Sequence, residues 1–491
     1  MHSREKQKEH STEAAIAASL VNDIITEISH RQIIDNENEK KYTLIEEEVL
    51  KEISDHTIPE DLQREITRKP IKLALFSVRV INAIANSFMG VPAAAIIITA
   101  DQLLTGAAIL TMTTPDKIFI LALAIAILIL LTFGWIMSFS ASLGHFDSYS
   151  YFFKQSVYIT IGLALAFTCL KIPLYFYKKY AKWFFVFSLV CLALVFLPEP
   201  IGRTVNGSTR WINFVFFKFQ PSEMMKIAMI LYMADFLVRQ EKDVKKPWMG
   251  LVKTLIIISS ADILLLLEMD LGATIIISLT ALIMLFAAGV YLTQLTFVGS
   301  SLISAVGIWL YIDGLNGGVR WQRLTQFWQT DLWINDSEKV WQTKQALIGI
   351  ARGDWGGVGL GNGIQKYTKL PEPHTDMIFS IVGEETGIIG MLFVILTFGF
   401  IMLKGFKIAK GALKQKRKYS SYVGFGICTW LSLQFSVNIA MNLGLIPPKG
   451  FPLPLISYGG SSMIFVLIAL GILLRIDMES RCEYSKQKNY V

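Results

Sequence analysis

The chain predicts an all-α, polytopic integral membrane protein of about ten transmembrane helices, with one large extracytoplasmic loop before the eighth. Three observations carry that reading. Of 491 residues, 53% are hydrophobic and only 17% charged, with mean hydropathy +0.47, a balance rare in a soluble protein of this length. The apolar residues come in long uncharged blocks, such as IFILALAIAILILLTFGWIMS over 118–138, and runs of about 18 or more argue for membrane helices. The basic residues gather in short loops between those blocks.

Residues 1–87 read as a cytoplasmic N-terminal extension. Its first 70 residues are acidic on balance, 16 Asp/Glu against 10 Lys/Arg. Ile16, Leu20, Ile24 and Ile28 repeat every fourth residue, so 12–30 can form an amphipathic helix. Further helices fit near Tyr42–Ile53 and after Pro59. A solvated appendage is the plain reading; a partner-docking helix is the sharper one. Within 88–116, the stretch 88–112 is long enough to span, but Pro92, Asp101 and Gly106 interrupt it. A central Asp costs about 2.5–3.5 kcal/mol on insertion, which favours an interfacial or re-entrant segment. The polar N-terminus is no cleavable signal peptide, so the first apolar segments serve as the insertion signal.

Ten spans follow within 117–475: 117–139, 155–171, 182–198, 222–238, 251–267, 272–289, 291–313, 377–403, 420–442 and 455–475. Charge sets their orientation. The loops 171–182 and 239–250 each hold four Lys/Arg, 404–418 holds seven, and the tail from Arg475 to the end holds four. These alternate correctly and face the cytoplasm, as do both termini, with 476–491 as the C-terminal tail. The largest outer loop is 314–376. The net charge of +7 sits in these loops and gives no case for nucleic acid. Cys169, Cys191, Cys428 and Cys482 are scattered and suggest neither disulfides nor a metal site. Beyond residue 70 only His145 and His374 occur, which excludes a His-rich metal centre.

Polar residues near membrane depth are functional candidates, and several fall on the outer side. Arg210 and Trp211 lie in NGSTRWINF. Glu223 and Lys226 share one helix face at i, i+3, and a local ion pair at a helix start explains them equally well. Glu268 and Asp270 sit in a short turn between apolar runs. GGVGLGNGIQK fits neither the Rossmann fingerprint nor the P-loop; the plain reading is a flexible turn, and the sharper one a loop whose amides approach a phosphate with Lys366 nearby. In KLPEPHTDMIFSIVGEE, which begins at Lys369, Thr375 is suited to cap the eighth helix with Asp376 in its first turn. That cap does not account for Glu372, His374, Glu384 and Glu385 together. The last two are expected to face the protein interior. Ser457, Ser461 and Ser462 have no His–Asp relay and read as small residues at a packed helix start.

Taken together, NGSTRWINF, KFQPSEMMKIA, LLEMDLGATI, WQTKQALIGIARGDWGGVGLGNGIQKYTKLPEPHTDMIF, VGEETGIIG and NLGLIPPKGFPLPLISYGGSS resemble the SEDS family (shape, elongation, division and sporulation), which includes FtsW, RodA and SpoVE. They run in order from about 117 to 475. The resemblance implies ten membrane helices and a peptidoglycan glycosyltransferase that polymerises lipid II at the outer face of the bacterial cytoplasmic membrane. GNGIQKYTKLPEPHTD and the Lys-Gly of PPKG look closer to the division branch, FtsW; FPLP is more like RodA, the elongation branch. The family's catalytic aspartate maps to Asp376. A carboxylate raised by a dry site suits a base for the acceptor hydroxyl, and Arg210 and Lys226 suit a departing pyrophosphate, with Glu223 orienting Lys226. Trp211, Asp270, Lys366, Glu372 and His374 complete the expected substrate site. No cofactor is certain; a divalent cation, magnesium or manganese, beside the pyrophosphate is the one candidate. A class B penicillin-binding protein and other division proteins are the expected partners, and the division septum the expected location. Two residues depart from the pattern: Met377 stands where Phe is usual, and Met269 where Pro is usual, which suggests a less rigid turn. A lipid II flippase is the alternative of another class, and a scaffold a third; a transporter would place polar groups at the midplane in both halves, whereas the candidates concentrate on one side.

Overall fold

The computed structural model describes residues 115–144, 148–197, 202–205, 208–213, 218–244, 249–315, 338–367 and 370–488. The helices expected at 12–30, at 42–53 and after Pro59, and the segment 88–112, lie outside the described residues. Among those described, twelve helices follow in order: α1 (Pro115–Ser142), α2 (Ser148–Lys171), α3 (Leu174–Leu194), α4 (Pro221–Arg239), α5 (Glu241–Val244), α6 (Met249–Leu267), α7 (Leu271–Ala287), α8 (Leu292–Leu315), α9 (Glu338–Gly353), α10 (Ile378–Lys414), α11 (Lys418–Asn442) and α12 (Gly460–Lys488). By length and composition, five stretches can cross a membrane: 122–142, 149–171, 378–414, 418–442 and 460–481; α7 is a shorter apolar helix.

These helices are apolar all round, as membrane helices are. On α10, Ile389, Leu396 and Leu403 lie two turns apart and are exposed, while Val394, Ile401 and Ile408 are buried. The exposed row suits hydrocarbon. Helix α11 is the hub, packed against α4, α7, α10 and α12. Its Trp430, Gln434, Asn438 and Asn442 recur every fourth residue and are buried, so one polar stripe runs down the inside of the bundle. The α10 helix continues past the expected edge at 403 to Lys414, because Lys404, Lys407, Lys410 and Lys414 are good helix formers and their charges favour a helix C-terminus.

The all-α expectation needs one correction. A three-stranded antiparallel sheet forms from β1 (Gly202–Val205), β2 (Ser208–Asn213) and β3 (Lys218–Phe219), in the order β1-β2-β3. The sequence between β1 and β2 is Asn206-Gly207, the pair that two-residue hairpin loops prefer. The reading as a plain loop missed that signal.

Helix α10 is broken at Gly387, where φ is 67°. A break frees backbone groups, which need partners wherever water is excluded. The glycine-rich loop supplies them. The carbonyls of Glu384 and Glu385 accept from the amides of Val358 (3.0 Å) and Gly359 (3.1 Å). The amides of Ile388 and Ile389 donate to the carbonyls of Asp354 (2.9 Å) and Trp355 (3.3 Å). The loop expected as a flexible turn is therefore a fixed insert in the helix.

A side chain at Gly387 would overlap the Trp355 carbonyl and the Gly357 amide, and its φ disfavours any Cβ. Gly387→Ala is expected to cost at least roughly 1–3 kcal/mol from backbone strain. Gly399→Ala, on the same helix with no atom within 4 Å of its Cβ position, should be neutral or gain about 0.5–1 kcal/mol. Thermal unfolding of the two purified variants checks the contrast, and equal melting temperatures would contradict it.

Candidate active site

The turn that enters α10 is held by its backbone. The carbonyl of His374 accepts from the Tyr458 amide (2.9 Å), and that of Thr375 from the Ser457 hydroxyl (2.6 Å). The Asp376 carbonyl accepts from the carboxamides of Asn438 (2.9 Å) and Asn442 (3.0 Å) on α11. Three consecutive carbonyls are thus fixed by two different elements. Asn442 also caps α10, its Oδ1 accepting from the Ser380 amide at 3.0 Å.

The expected Thr375 cap is not what forms. Helix α10 starts at Ile378, its N-cap is Met377, and no side chain of that residue caps it. The Thr375 hydroxyl instead donates back to the Glu372 carbonyl at 3.1 Å, closing the turn, and Asp376 precedes the helix instead of lying in its first turn. Met377, the departure from the usual Phe, is fully buried.

With its carbonyl fixed, the half-buried Asp376 side chain receives no hydrogen bond from the described residues, and its Oδ2 lies 3.4 Å from where a Cβ on Gly450 would stand. Burial pushes its carboxyl up to about 7, with Glu372 raising it further and Arg210 opposing both. His374 is buried between Tyr151 and Tyr458, at 4.5 Å and 5.4 Å between ring centroids, with Nε2 3.7 Å from the exposed Glu372 carboxylate. Lys449, next to Gly450, is exposed.

Arg210 reaches the site from β2. Its Nη2 donates to the Met269 carbonyl at 2.5 Å, and its Nη1 lies 4.0 Å from Asp270. Trp211, the next residue along the strand, is half-buried; the register shifts beside it and leaves Arg210 as the extra residue of a β-bulge. Asp270 caps α7 by accepting from the Ala273 amide (3.2 Å) and also accepts from Ser222 of α4 (3.5 Å). Met269 has φ 61°. Proline is locked near −65°, so the turn here has a shape that the usual proline could not take.

The Glu223–Lys226 pair forms at 2.7 Å with both side chains buried, and Lys226 also donates to Gln434 at 3.2 Å. Gln434 precedes Asn438 by one helical turn, so Lys226 sits about 6 Å deeper along α11 than the clamp on Asp376. Lys366 does not join the site. Its ammonium is fully buried and donates to Glu385 (2.6 Å), Gly361 O (2.9 Å) and Ser140 (3.1 Å). An ammonium has three protons, so none is left for a phosphate. Glu384 takes Arg352 at 2.6 Å and the amides of Ile364 and Gln365. The glycine-rich loop does cradle anions, and they are the protein's own carboxylates.

Sequence reasoning missed Gln434, Asn438 and Asn442, although three amides at four-residue spacing in an apolar run are a visible signal. Among the described residues no three His, Cys, Asp or Glu side chains gather as metal ligands.

A bundle of apolar helices that presents a half-buried carboxylate with an arginine acting on it at one end defines a membrane-embedded protein with a polar site there. The chain belongs to the FtsW/RodA/SpoVE family of cell cycle proteins, whose model matches residues 121–482. It is 39% identical over 336 residues to the probable peptidoglycan glycosyltransferase FtsW of Pseudomonas fluorescens, covering 68% of this chain and 81% of that one. The protein of the same name from Coxiella burnetii is 38% identical over 73% of this chain and 96% of its own. Among solved structures, a chain from a peptidoglycan synthase complex described as coordinating polymerization and crosslinking aligns with TM-score 0.59 at 24% identity, over 73% of this chain and 97% of that one. Thermus thermophilus Rod shape determining protein RodA aligns with TM-score 0.52 at 23% identity, over 72% and 95%. These two likenesses establish the fold.

Glu268, beside Asp270, is buried, and neither of its carboxylate oxygens is hydrogen-bonded by the described residues. Burial raises its carboxyl from 4.5 to about 9, with Asp270 adding to the rise and Arg210 opposing it. Ionisation therefore favours the unfolded chain increasingly as pH rises between those two values. Glu268→Gln removes that penalty, so its gain in melting temperature over the parent should be absent near pH 4 and grow toward pH 9. A gain independent of pH would mean that the folded protein holds Glu268 ionised.

Proposed function

We propose that this protein is a peptidoglycan glycosyltransferase that polymerises lipid II at the outer face of the bacterial cytoplasmic membrane, with Asp376 as the base. The observation that carries the reading is the Asp376 side chain: its backbone is clamped from two sides, its carboxylate is left open, and its pKa is about 7. A base works best with a pKa near the working pH. The curated relatives are named as enzymes of this kind.

In the proposed step the acceptor sugar hydroxyl gives its proton to Asp376 as its oxygen bonds to the donor's anomeric carbon. The bond from that carbon to the pyrophosphate oxygen breaks, and the lipid pyrophosphate leaves with the electron pair. Arg210 would meet that charge, with the exposed Lys449, next to Gly450, as a second cation for it. Lys226, expected to do the same, is held by Glu223 and Gln434, so its proposed part is to fix the deeper wall. Asp270 anchors Arg210's turn, and His374 and Glu372 shape the cavity beside Asp376. The described residues offer no three-ligand cage, and a magnesium or manganese ion would be held by a carboxylate, with Asp376 the candidate, together with substrate phosphate oxygens.

Ten spans, with both termini in the cytoplasm, are part of the proposal. Helices α3, α4, α6, α7 and α8 overlap the expected spans beyond the five longest and most apolar stretches. A septal role follows the FtsW relatives, and a class B penicillin-binding protein as partner is supported by the synthase complex whose chain shares this fold.

Purified protein given fluorescent lipid II should yield glycan polymer on a gel, and Asp376→Asn should lower the rate about 10²–10⁴-fold. Polymer formed at the parental rate by that variant would remove Asp376 as base; no polymer from the parent, with lipid II still crossing vesicles, would favour a flippase. The rate should rise with pH to a plateau with a midpoint near 7. Glu372→Gln removes a neighbouring negative charge and should move that midpoint down, whereas Arg210→Gln should move it up.

A further inference from the structure

Opposite the Asp376 end, the bundle carries a second, unrelated cavity of about 340 Å³. Asp376 lies just before the first residue of α10, and the cavity is built on the turn just after its last, so roughly 55 Å of helix separates them. Its walls come from the start of α3, the α10–α11 turn and α12, and they include Tyr175, Lys178, Lys416, Arg417, Lys418 and Glu479.

The charges at this cavity do not cancel. Arg417 and Arg475 both meet Glu479, at 3.5 Å and 2.9 Å, and Lys418 meets Glu241 at 2.5 Å. Among the described residues neither Lys178 nor Lys416 has an acceptor for its ammonium. Among the described residues the lining holds Lys178, Lys416, Arg417 and Lys418 against one carboxylate, Glu479. Lys416 is also one of the few non-glycine residues in the left-handed region, with φ 62°. The turn that places three consecutive basic residues, 416–418, at the cavity is therefore a strained one.

A soluble anion would need only those charges, but the cavity wall offers more. Tyr175 lines it and is 67% exposed, and the same end of α3 carries exposed Phe176, Tyr180 and Trp183. Phe176 and Tyr180 stack nearly parallel, 9° apart. Exposed aromatics beside lysines at a helix end are the composition of a membrane–water interface. A basic cavity between membrane helices at that level suits a lipid phosphate, with the acyl chains lying along the aromatic face.

We infer that this cavity binds the phosphodiester headgroup of an anionic phospholipid, held by Lys178 and Lys416 and flanked by Tyr175. The site is independent of the proposed reaction. It makes the protein responsive to the anionic lipid content of the leaflet at its lysine-rich end.

The test uses the full-length protein purified in detergent and titrated separately with phosphatidylglycerol and phosphatidylcholine, with retained lipid counted by native mass spectrometry. Phosphatidylglycerol should be retained in preference to phosphatidylcholine. Lys178→Gln combined with Lys416→Asn, the latter a residue tolerated at positive φ, should weaken phosphatidylglycerol retention by about fivefold per lysine, roughly thirtyfold together. Retention equal to the parent overturns the inference. Lys179→Gln with Lys182→Gln removes the same charge from exposed positions on α3 outside the cavity and should leave retention unchanged; an equal loss there would mean that the basic surface, and not the cavity, binds the lipid. Excess inorganic phosphate should not displace the lipid, and if it does so and itself stays bound, the ligand is a free phosphate. Should the double variant fail to purify, Lys178→Gln alone must still give its fivefold loss, and parental retention in it overturns the inference equally.

Discussion

Two adjacent carboxylates inside a membrane protein, Glu384 and Glu385, set the terms for the end of the bundle that carries Asp376. Both are buried completely or nearly so, and a buried charge is tolerated only when paired and hydrogen-bonded. Each is met by one basic side chain and by amides of the glycine-rich loop, Arg352 with Ile364 and Gln365 for one, Lys366 with Gly361 for the other. The lack of side chains matters here, since a Cβ on Gly363 would stand 2.9 Å from both carboxylates. The same loop also repairs the hydrogen-bond gap at Gly387. One segment therefore helps to neutralise the charges and completes the helix.

The polar stripe on α11 does the corresponding work from within the bundle. Gln434 gathers Lys226, Trp430 and the Pro452 carbonyl; Asn438 bridges the carbonyls of Asp376 and Phe451. Neutral amides suit this position because they donate and accept without a charge to desolvate. They fix the backbone of Asp376 while making no demand on its carboxylate, which receives no hydrogen bond from the described residues.

Much of this was legible in the sequence. Long apolar blocks and the lysine-rich loops give the membrane class, and the ordered motifs give the family and point to Asp376. Glu384 and Glu385 read as interior residues, but their partners lie 19 to 32 positions upstream in Arg352, Ile364, Gln365 and Lys366 and as far away as Ser140, and no local pattern encodes such pairing. Lys366 looked like a phosphate ligand because exposure cannot be read from a loop's composition. Thr375 looked like a cap because the true one, Asn442, comes from another helix. The Asn206-Gly207 hairpin signal, by contrast, was present and passed over. Local chemistry was readable; the misses came where a distant element supplied the partner.

The break at Gly387 has a mechanical meaning. An unbroken helix is a strut, and a push at one end moves the other. Here the stretch 378–386 is stitched by its last carbonyls to the loop 354–359, and the lipid-facing remainder of α10 starts afresh from the amides of Ile388 and Ile389. The short piece, with Asp376 at its head, thereby belongs to the loop 354–359 as much as to the helix bundle. No continuous helix therefore runs from the long lysine-bearing rod to the carboxylate, and the loop 354–359 shares in holding the short piece.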